Sequence, residues 1–372
     1  MERHVLEKFF HMIDDPRSYK NQKHPFQTLI GVSFLAILSG IDSFNGMAEF
    51  TEAKFEELSS LFEFPAGVPS HDTFARLWDN ISHEQFYQSF ELFLDFLKET
   101  ADRPTTIINI DGKTIRNSSL GHGLHLVSAW CQANQLVLAQ EKVHDKSNEI
   151  TAIPLLLDKI DVQDKIITID AMGTQRKICQ DIVLRSGDYV VSLKGNQQSL
   201  FKDVQAYFEG LSDPDEILEN CREKNKGHGR IEERHAFVLR DVAFLQKEHQ
   251  WPGLKSVIMI QSTRTRKDKK STETRYYISS LTTRTAREFN DIVRAHWSIE
   301  NQLHWRLDCS FNEDKACITN ENGAENIALM RRWAINALSQ IKDKKDTTKG
   351  LMRKNLMSFK YLISTVNSIF HA

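Results

Sequence analysis

A chain of 372 residues, 40% hydrophobic and 26% charged, can bury a large core without disulfide or metal staples. Its formal net charge of −2 means that any nucleic-acid surface must come from local clusters of Lys and Arg. Five scattered cysteines with no CxxC pair exclude a zinc ribbon or disulfide framework, and no run is apolar enough for a membrane span or signal peptide, so a cytoplasmic protein with no membrane partner is expected.

In chain order, residues 1–101 read as an all-α N-terminal unit. LIGVSFLAILSGI predicts a buried helix, and FNGMAEFTEAKFEELSSLF repeats its apolar residues at three-to-four spacing. VPSHDTFARLWDNI opens on the helix-start residues Pro69, Ser70 and Asp72 and then presents Phe74, Leu77 and Trp78 on one face. A helix pair ending there is either a helix-turn-helix DNA reader or plain helical packing. Arg103-Pro104 marks a boundary, and residues 102–345 read as one α/β unit. From Thr105 to Leu211 the predicted order is β, β, β, α, β, α, β, α. Its strands are TTIINID, LHLVSAWC, QLVLAQEKV, KIITID and DYVVSL, and its helices are EITAIPLLLDKI, TQRKICQDIVLRSG and QSLFKDVQAYFEGL. Pro154 is expected to interrupt the first of these helices. A β-rich insertion follows at about 212–283, with TRTRKDKKSTETR as a basic loop. Helices return after Thr285, led by FNDIVRAHWSIENQLHWRLD, and 346–372 forms a helical tail.

Three carboxylates stand out by position. Asp111 ends IINID, Asp170 ends IITID, and Glu300 lies within the late helix. An Asp just past the apolar residues of a strand sits at the carboxyl edge of the sheet, where α/β folds bind ligands. Two such acids from neighbouring strands and a third from a helix across that edge would suit hard divalent cations. Two ions in such a site support phosphoryl transfer. A rival comes from the helix itself: His296, Glu300 and His304 are four apart and could hold zinc in a hydrolase. The rival gives Asp111 and Asp170 no task. Alternatively, the two histidines simply buttress Glu300.

The segments IDGKTIRNS, TIDAMGTQRKI, DYVVSLKGNQ, GHGRIEERH and HWSIENQLHWRLDCSFNEDKA occur here in one order. Together they resemble the H-repeat-associated insertion-sequence transposases, a branch of the DDE transposases with an RNase H-like core. The segment from Asp14 to Phe50 is similar to that family's associated helical domain. The resemblance implies a mixed-sheet RNase H-like catalytic core with an inserted β-rich domain, and Asp111, Asp170 and Glu300 as catalytic metal ligands. The spacing from the second Asp to the Glu, 300 − 170 = 130 positions, leaves room for the insertion. It further implies two Mg²⁺ or Mn²⁺ ions and metal-dependent cleavage at element ends. Attack of the freed 3′-hydroxyl on target DNA follows, by a homodimer on DNA with no nucleotide cofactor. The wider relatives carry a Tyr, Arg, Glu, Lys set around the Glu; here those places hold Val293, His296, Glu300 and Leu307.

Candidate DNA contacts are Lys113 and Arg116 just beyond Asp111, Lys194 and Asn196 in the KGNQ loop, Arg230, Arg294 and His296. Lys224, Lys226, Arg230 and Arg234 make one basic stretch; Arg264, Arg266, Lys267, Lys269 and Lys270 make another. Two other functions remain open from these residues. One is a nuclease without strand transfer, or a domesticated or inactive element protein. The other is a DNA-binding regulator that uses only the N-terminal helices.

Overall fold

The computed structural model describes residues 8–18, 22–99, 104–118, 123–144, 148–227, 230–266, 269–341 and 346–370. The chain opens with helices α1 (Phe26–Leu38), α2 (Phe44–Ala53), α3 (Phe55–Ser59), α4 (His71–Asn80) and α5 (His83–Glu99). Helix α1 is apolar all round and is buried from Phe26 onward except at Gln27, which makes it a core helix rather than a surface one. Helix α4 buries Phe74, Leu77 and Trp78, the face its spacing predicts. The Trp78 indole donates to Ser33 Oγ at 3.0 Å and fixes α4 on α1.

The sheet begins with β1 (Ile107–Ile115), β2 (Leu124–Cys131) and β3 (Leu136–Lys142), followed by α6 (Glu149–Asp158) and β4 (Ile166–Ile169). Next come α7 (Arg176–Leu184), β5 (Asp188–Leu193) and α8 (Gln198–Glu209). This is the predicted order. Strands β1, β2 and β3 form an antiparallel meander, while β4 and β5 join β1 in parallel, giving the RNase H-like order β3-β2-β1-β4-β5. Pro154 lies inside α6 without ending it. The helix forgoes one hydrogen bond there and keeps Ala152, Ile153, Leu156 and Leu157 in the core.

The insertion adds β6 (Glu219–Gly227), β7 (Arg230–Leu239), α9 (Ala243–His249), β8 (Ser256–Arg266) and β9 (Lys269–Ser279). These four strands do not make a second sheet. β9 pairs antiparallel with β5, and β8, β7 and β6 follow outward, so one sheet runs through nine strands. One local expectation changes here. The basic stretch around Arg266 is a paired ribbon, not a loop, because the β8–β9 register continues out to Arg266 opposite Lys269. A Thr263–Thr272 hydroxyl pair at 3.0 Å links its two strands.

After the insertion, α10 (Ala286–Ser298) starts from a capping box between Thr285 and Glu288. It buries Ala286, Phe289, Ile292 and Val293 in an apolar cluster with Ile166, Val190, Val238, Ile258 and Tyr277 of the sheet. The helix continues through a π-helical stretch, Ile299–His304, into α11 (Trp305–Cys309). Helices α12 (Glu321–Ser339), α13 (Thr348–Met357) and α14 (Phe359–Phe370) complete the chain.

α12 contacts α1, α4, α5 and β3, so the N-terminal helices and the sheet share one core. Trp333 is ringed by Phe10, Phe34, Phe86, Phe90 and Phe93. Strand β3 lies at the sheet edge, where its backbone would be open to other chains. Asn336 of α12 covers it: its side chain accepts from Val137 N at 2.7 Å and donates to Val137 O at 2.9 Å. Among the described residues, no helix is long and apolar enough to cross a membrane.

Candidate active site

Parallel pairing of β1 with β4 stops at Ile110 and Ile169, and an aspartate follows each: Asp111 and Asp170. Asp111 does not end its strand as expected. β1 runs on to Ile115 because β2 keeps pairing with it after β4 has stopped. Both acids therefore stand at the carboxyl edge of the parallel segment. α10 crosses β1 and β4 on one face and carries Glu300 to that edge in its π-helical continuation.

A buried polar network sets this crossing. Ser298 Oγ accepts from the Trp130 indole at 3.2 Å and from Asn109 Nδ2 at 3.5 Å. Thr168 donates to Asn109 Oδ1 at 2.8 Å and lies 2.9 Å from His296 Nδ1. Strands β1, β2 and β4 are thus tied to the last turn of α10. Beyond it, Ile299 and Leu303 anchor the π stretch in the core, and its wide turn places His304 Nδ1 3.7 Å from Asp111 Oδ2. His296 and His304 consequently address different strands, and no His–Glu–His zinc set forms.

The turn after Asp170 is held in place as well. Gly173 N donates to Asp170 Oδ1 at 3.1 Å, and the Thr174 hydroxyl lies 2.9 Å from Asp170 O and 2.7 Å from Ser192 O. A Cβ on Gly173 would fall 2.3 Å from Ile169 Cγ2, so this tight turn requires glycine.

The three acids share an electrostatic environment. Burial, then the charges of Asp170, Glu149 and Glu300, push Asp111 up to about 7. Burial also raises Asp170, against the Gly173 N–H and with Glu149. Glu300 is raised by burial and by Asp170 and lowered by the Arg275 guanidinium. Burial pushes His296 down to about 4, and burial with nearby Arg332 and Lys113 pushes His304 down to about 3, so neither offers a positive charge at neutral pH. The carboxylates gather without forming a closed cage. Among the described residues, no three His, Cys, Asp or Glu side chains stand ready to share one ion. The donor set still fits a hard divalent cation: all oxygen, mutually repelling, and left without cationic histidines.

A cleft of about 280 Å³ opens beside Glu300 and is lined by Arg234, Arg264, Arg275 and Trp297. The Arg275 guanidinium stacks over the Trp297 ring at 4.6 Å. A larger cavity of about 520 Å³, with Lys98, Lys159 and Lys165 in its lining, opens at the amino ends of β1 and β4 and touches none of the three acids.

The Transposase DDE domain family matches residues 102–337, and the DDE_Tnp_1-associated family matches residues 7–94. The chain belongs to the DDE-domain transposase family. It is 36% identical to "H repeat-associated putative transposase YhhI" and to "Putative protein YbfL", both of Escherichia coli (strain K12), over 98% of each chain. It is 35% identical to "Putative transposase YncI" of Escherichia coli O157:H7, over 95% of this chain and 92% of the relative.

Several residues of this DDE-family chain that were expected to touch DNA have other partners. Lys113 is buried and its ammonium lies 2.7 Å from Asp308, 3.0 Å from Asp314 and 3.7 Å from Glu313, so its charge is spent inside the protein. The Asn196 amide donates to the carbonyls of Ala171 and Thr174, pinning the Asp170 turn. His296 is uncharged and turned to Thr168. Val293 and Leu307 are core residues. Arg294 lies 3.3 Å from Glu223 and stays exposed, as do Arg116 and Lys194. Lys224 pairs with Glu233 and Arg234 with Glu232, whereas Lys226, Arg266, Lys269 and Lys270 are exposed. The backbone of Arg230 begins β7; Lys267 lies outside the described residues.

Two residues beside the acids escaped the sequence reading. Glu149 is the first residue of a helix that follows a strand, a place with no signal of its own, and Arg275 was hidden in the basic stretch.

Proposed function

We propose that this chain is a DNA transposase in which Asp111, Asp170 and Glu300 hold two divalent cations, Mg²⁺ or Mn²⁺. They serve cleavage at element ends and strand transfer into target DNA. The observation that carries the reading is the convergence of three mutually repelling carboxylates at one sheet edge in a DDE-family chain. When bound, the ions would activate the attacking oxygen and stabilise the leaving one.

The remaining work falls to the protein. Asp111 and Asp170, fixed by strand pairing and by the Gly173 turn, would hold the cations at one place on the sheet edge. Lys194 and Arg275, beside Asp170 and Glu300, face the incoming phosphates. In the first step a water oxygen forms a bond to phosphorus and the 3′-oxygen leaves. In the second that 3′-hydroxyl forms the new bond and a target-strand oxygen leaves. No nucleotide energy is needed, since each step exchanges one phosphodiester bond. Two element ends are brought together by a homodimer on DNA.

The test is cleavage and joining of DNA that carries the element ends. Asp111→Asn and Asp170→Asn are each expected to reduce both steps by roughly 10³-fold or more, with DNA affinity retained. Undiminished nicking in either variant sinks the assignment. Cut DNA without joined products would assign a nuclease instead.

A further inference from the structure

We propose that Glu149 is a fourth carboxylate of this site, seated on the backbone of Gly112 by His125, and that its charge strengthens divalent-cation binding at Asp111 and Asp170. The inference rests on the reading of those aspartates as cation ligands.

The geometry starts from the β1–β2 pairing, which sets Thr114 opposite His125. Gly112 and Thr114 are two apart and share a sheet face, the one turned away from Asp111. His125 Nδ1 lies 2.7 Å from Thr114 Oγ1, and its Nε2 lies 2.9 Å from Glu149 Oε1. Glu149 reaches this place from the first turn of α6, which Asn148 caps by accepting from Ile150 N at 3.1 Å. The carboxylate then occupies the space where any larger residue than glycine would put its Cβ. A Cβ on Gly112 would fall 2.1 Å from Glu149 Oε1 and 2.9 Å from His125 Nε2. Gly112 is the residue after Asp111, so the absence of a side chain there lets a carboxylate from the far face come up against the sheet edge.

Several shielded acids are matched by a permanent cation: Glu141 by Lys159, Glu313 by Arg332, and Asp314 by Lys113. The side chain of Glu149 is only 14% exposed, yet among the described residues its ion-pair partner is a histidine. Its field reaches both aspartates: it adds to the repulsion that raises Asp111 and to that which raises Asp170. A carboxylate seated beside two others raises the attraction of that edge for a divalent ion. A residue serving only to cap α6 would need neither the glycine nor the histidine.

The experiment is calorimetric titration of the full-length chain with Mn²⁺ in the absence of DNA. Metal-free melting is recorded alongside. Glu149→Gln keeps the shape and an oxygen for His125 but removes the charge, and is expected to weaken Mn²⁺ binding about tenfold with the metal-free melt unchanged. Gly112→Ala keeps the charge but displaces the carboxylate, and is expected to weaken binding in the same direction. That variant carries the test should Glu149→Gln not fold. Asp111→Asn serves as the reference. If it abolishes Mn²⁺ binding while both other variants bind as the parent does, Glu149 has no part in the site and the cation reading stands. If all three bind as the parent does, the inference and the cation reading fall together.

Discussion

Asp111 is the residue whose chemistry the fold has altered most clearly. Its carboxyl titrates near 3.8 in an ordinary setting and at about 7 here, so the folded chain favours the protonated form. The stability this confers is whole below the unfolded value and is lost as pH rises through about 7. The stability advantage of metal-free Asp111→Asn over the parent should therefore be larger at pH 8 than at pH 5 by on the order of 2 kcal/mol. Thermal melts at the two pH values decide it, and an equal shift at both would remove the acid cluster as the cause. At this scale the sequence was informative about Asp111 and Asp170, because each follows an apolar β run and strand alternation is a local signal. It was silent about Glu149, whose approach depends on how α6 folds across the edge. It misjudged Lys113, because a lysine two residues past a sheet-edge aspartate looks the same whether it faces solvent or meets Asp308 and Asp314.

Among the elements, the β8–β9 ribbon differs most from its sequence expectation. Its charges suggested a loop, but cross-strand pairing carries it out as the end of a four-stranded part of the sheet whose Arg266, Lys269 and Lys270 are exposed. Replacing these three by Gln should leave the fold intact. It should also lower the slope of log affinity against log salt by about 2 to 3 if all three meet phosphates. Fluorescence anisotropy on DNA across a salt series measures this, and an unchanged slope would take these strand ends off the DNA. The π-helical stretch was equally hidden. Spacing by four puts His296, Glu300 and His304 on one face, and nothing in the residue types announces the extra width that sends His304 to Asp111. Helix α10 was legible because its apolar stripe is periodic; in its π-helical continuation Ile299 and Leu303 are fully buried.

Taken as a whole, the molecule is held together by α12, which meets the N-terminal helices on one side and the sheet on another. Its Arg332 is fully buried and pairs with the equally buried Glu313 at 2.7 Å. Burial acts against the Glu313 carboxylate, yet Arg332, Arg331 and Lys113 together hold its pKa below the usual range. Glu313→Gln leaves these cations without their counter-charge and should cost about 3–5 kcal/mol in urea unfolding. A loss under 1 kcal/mol would mean that water reaches the group. Strand identity was readable from β-rich runs, but partnership was not: local pattern cannot say that β9 returns to β5. That return matters beyond this chain. Because β8 and β9 run well past the β5 pairing, which ends at Leu193–Tyr276, changes in the length of their outer ends need not disturb the strands carrying Asp111 and Asp170. Lineages of this protein should therefore gain and lose residues at the outer ends of these strands, where growth is mechanically silent at the edge that holds the two aspartates.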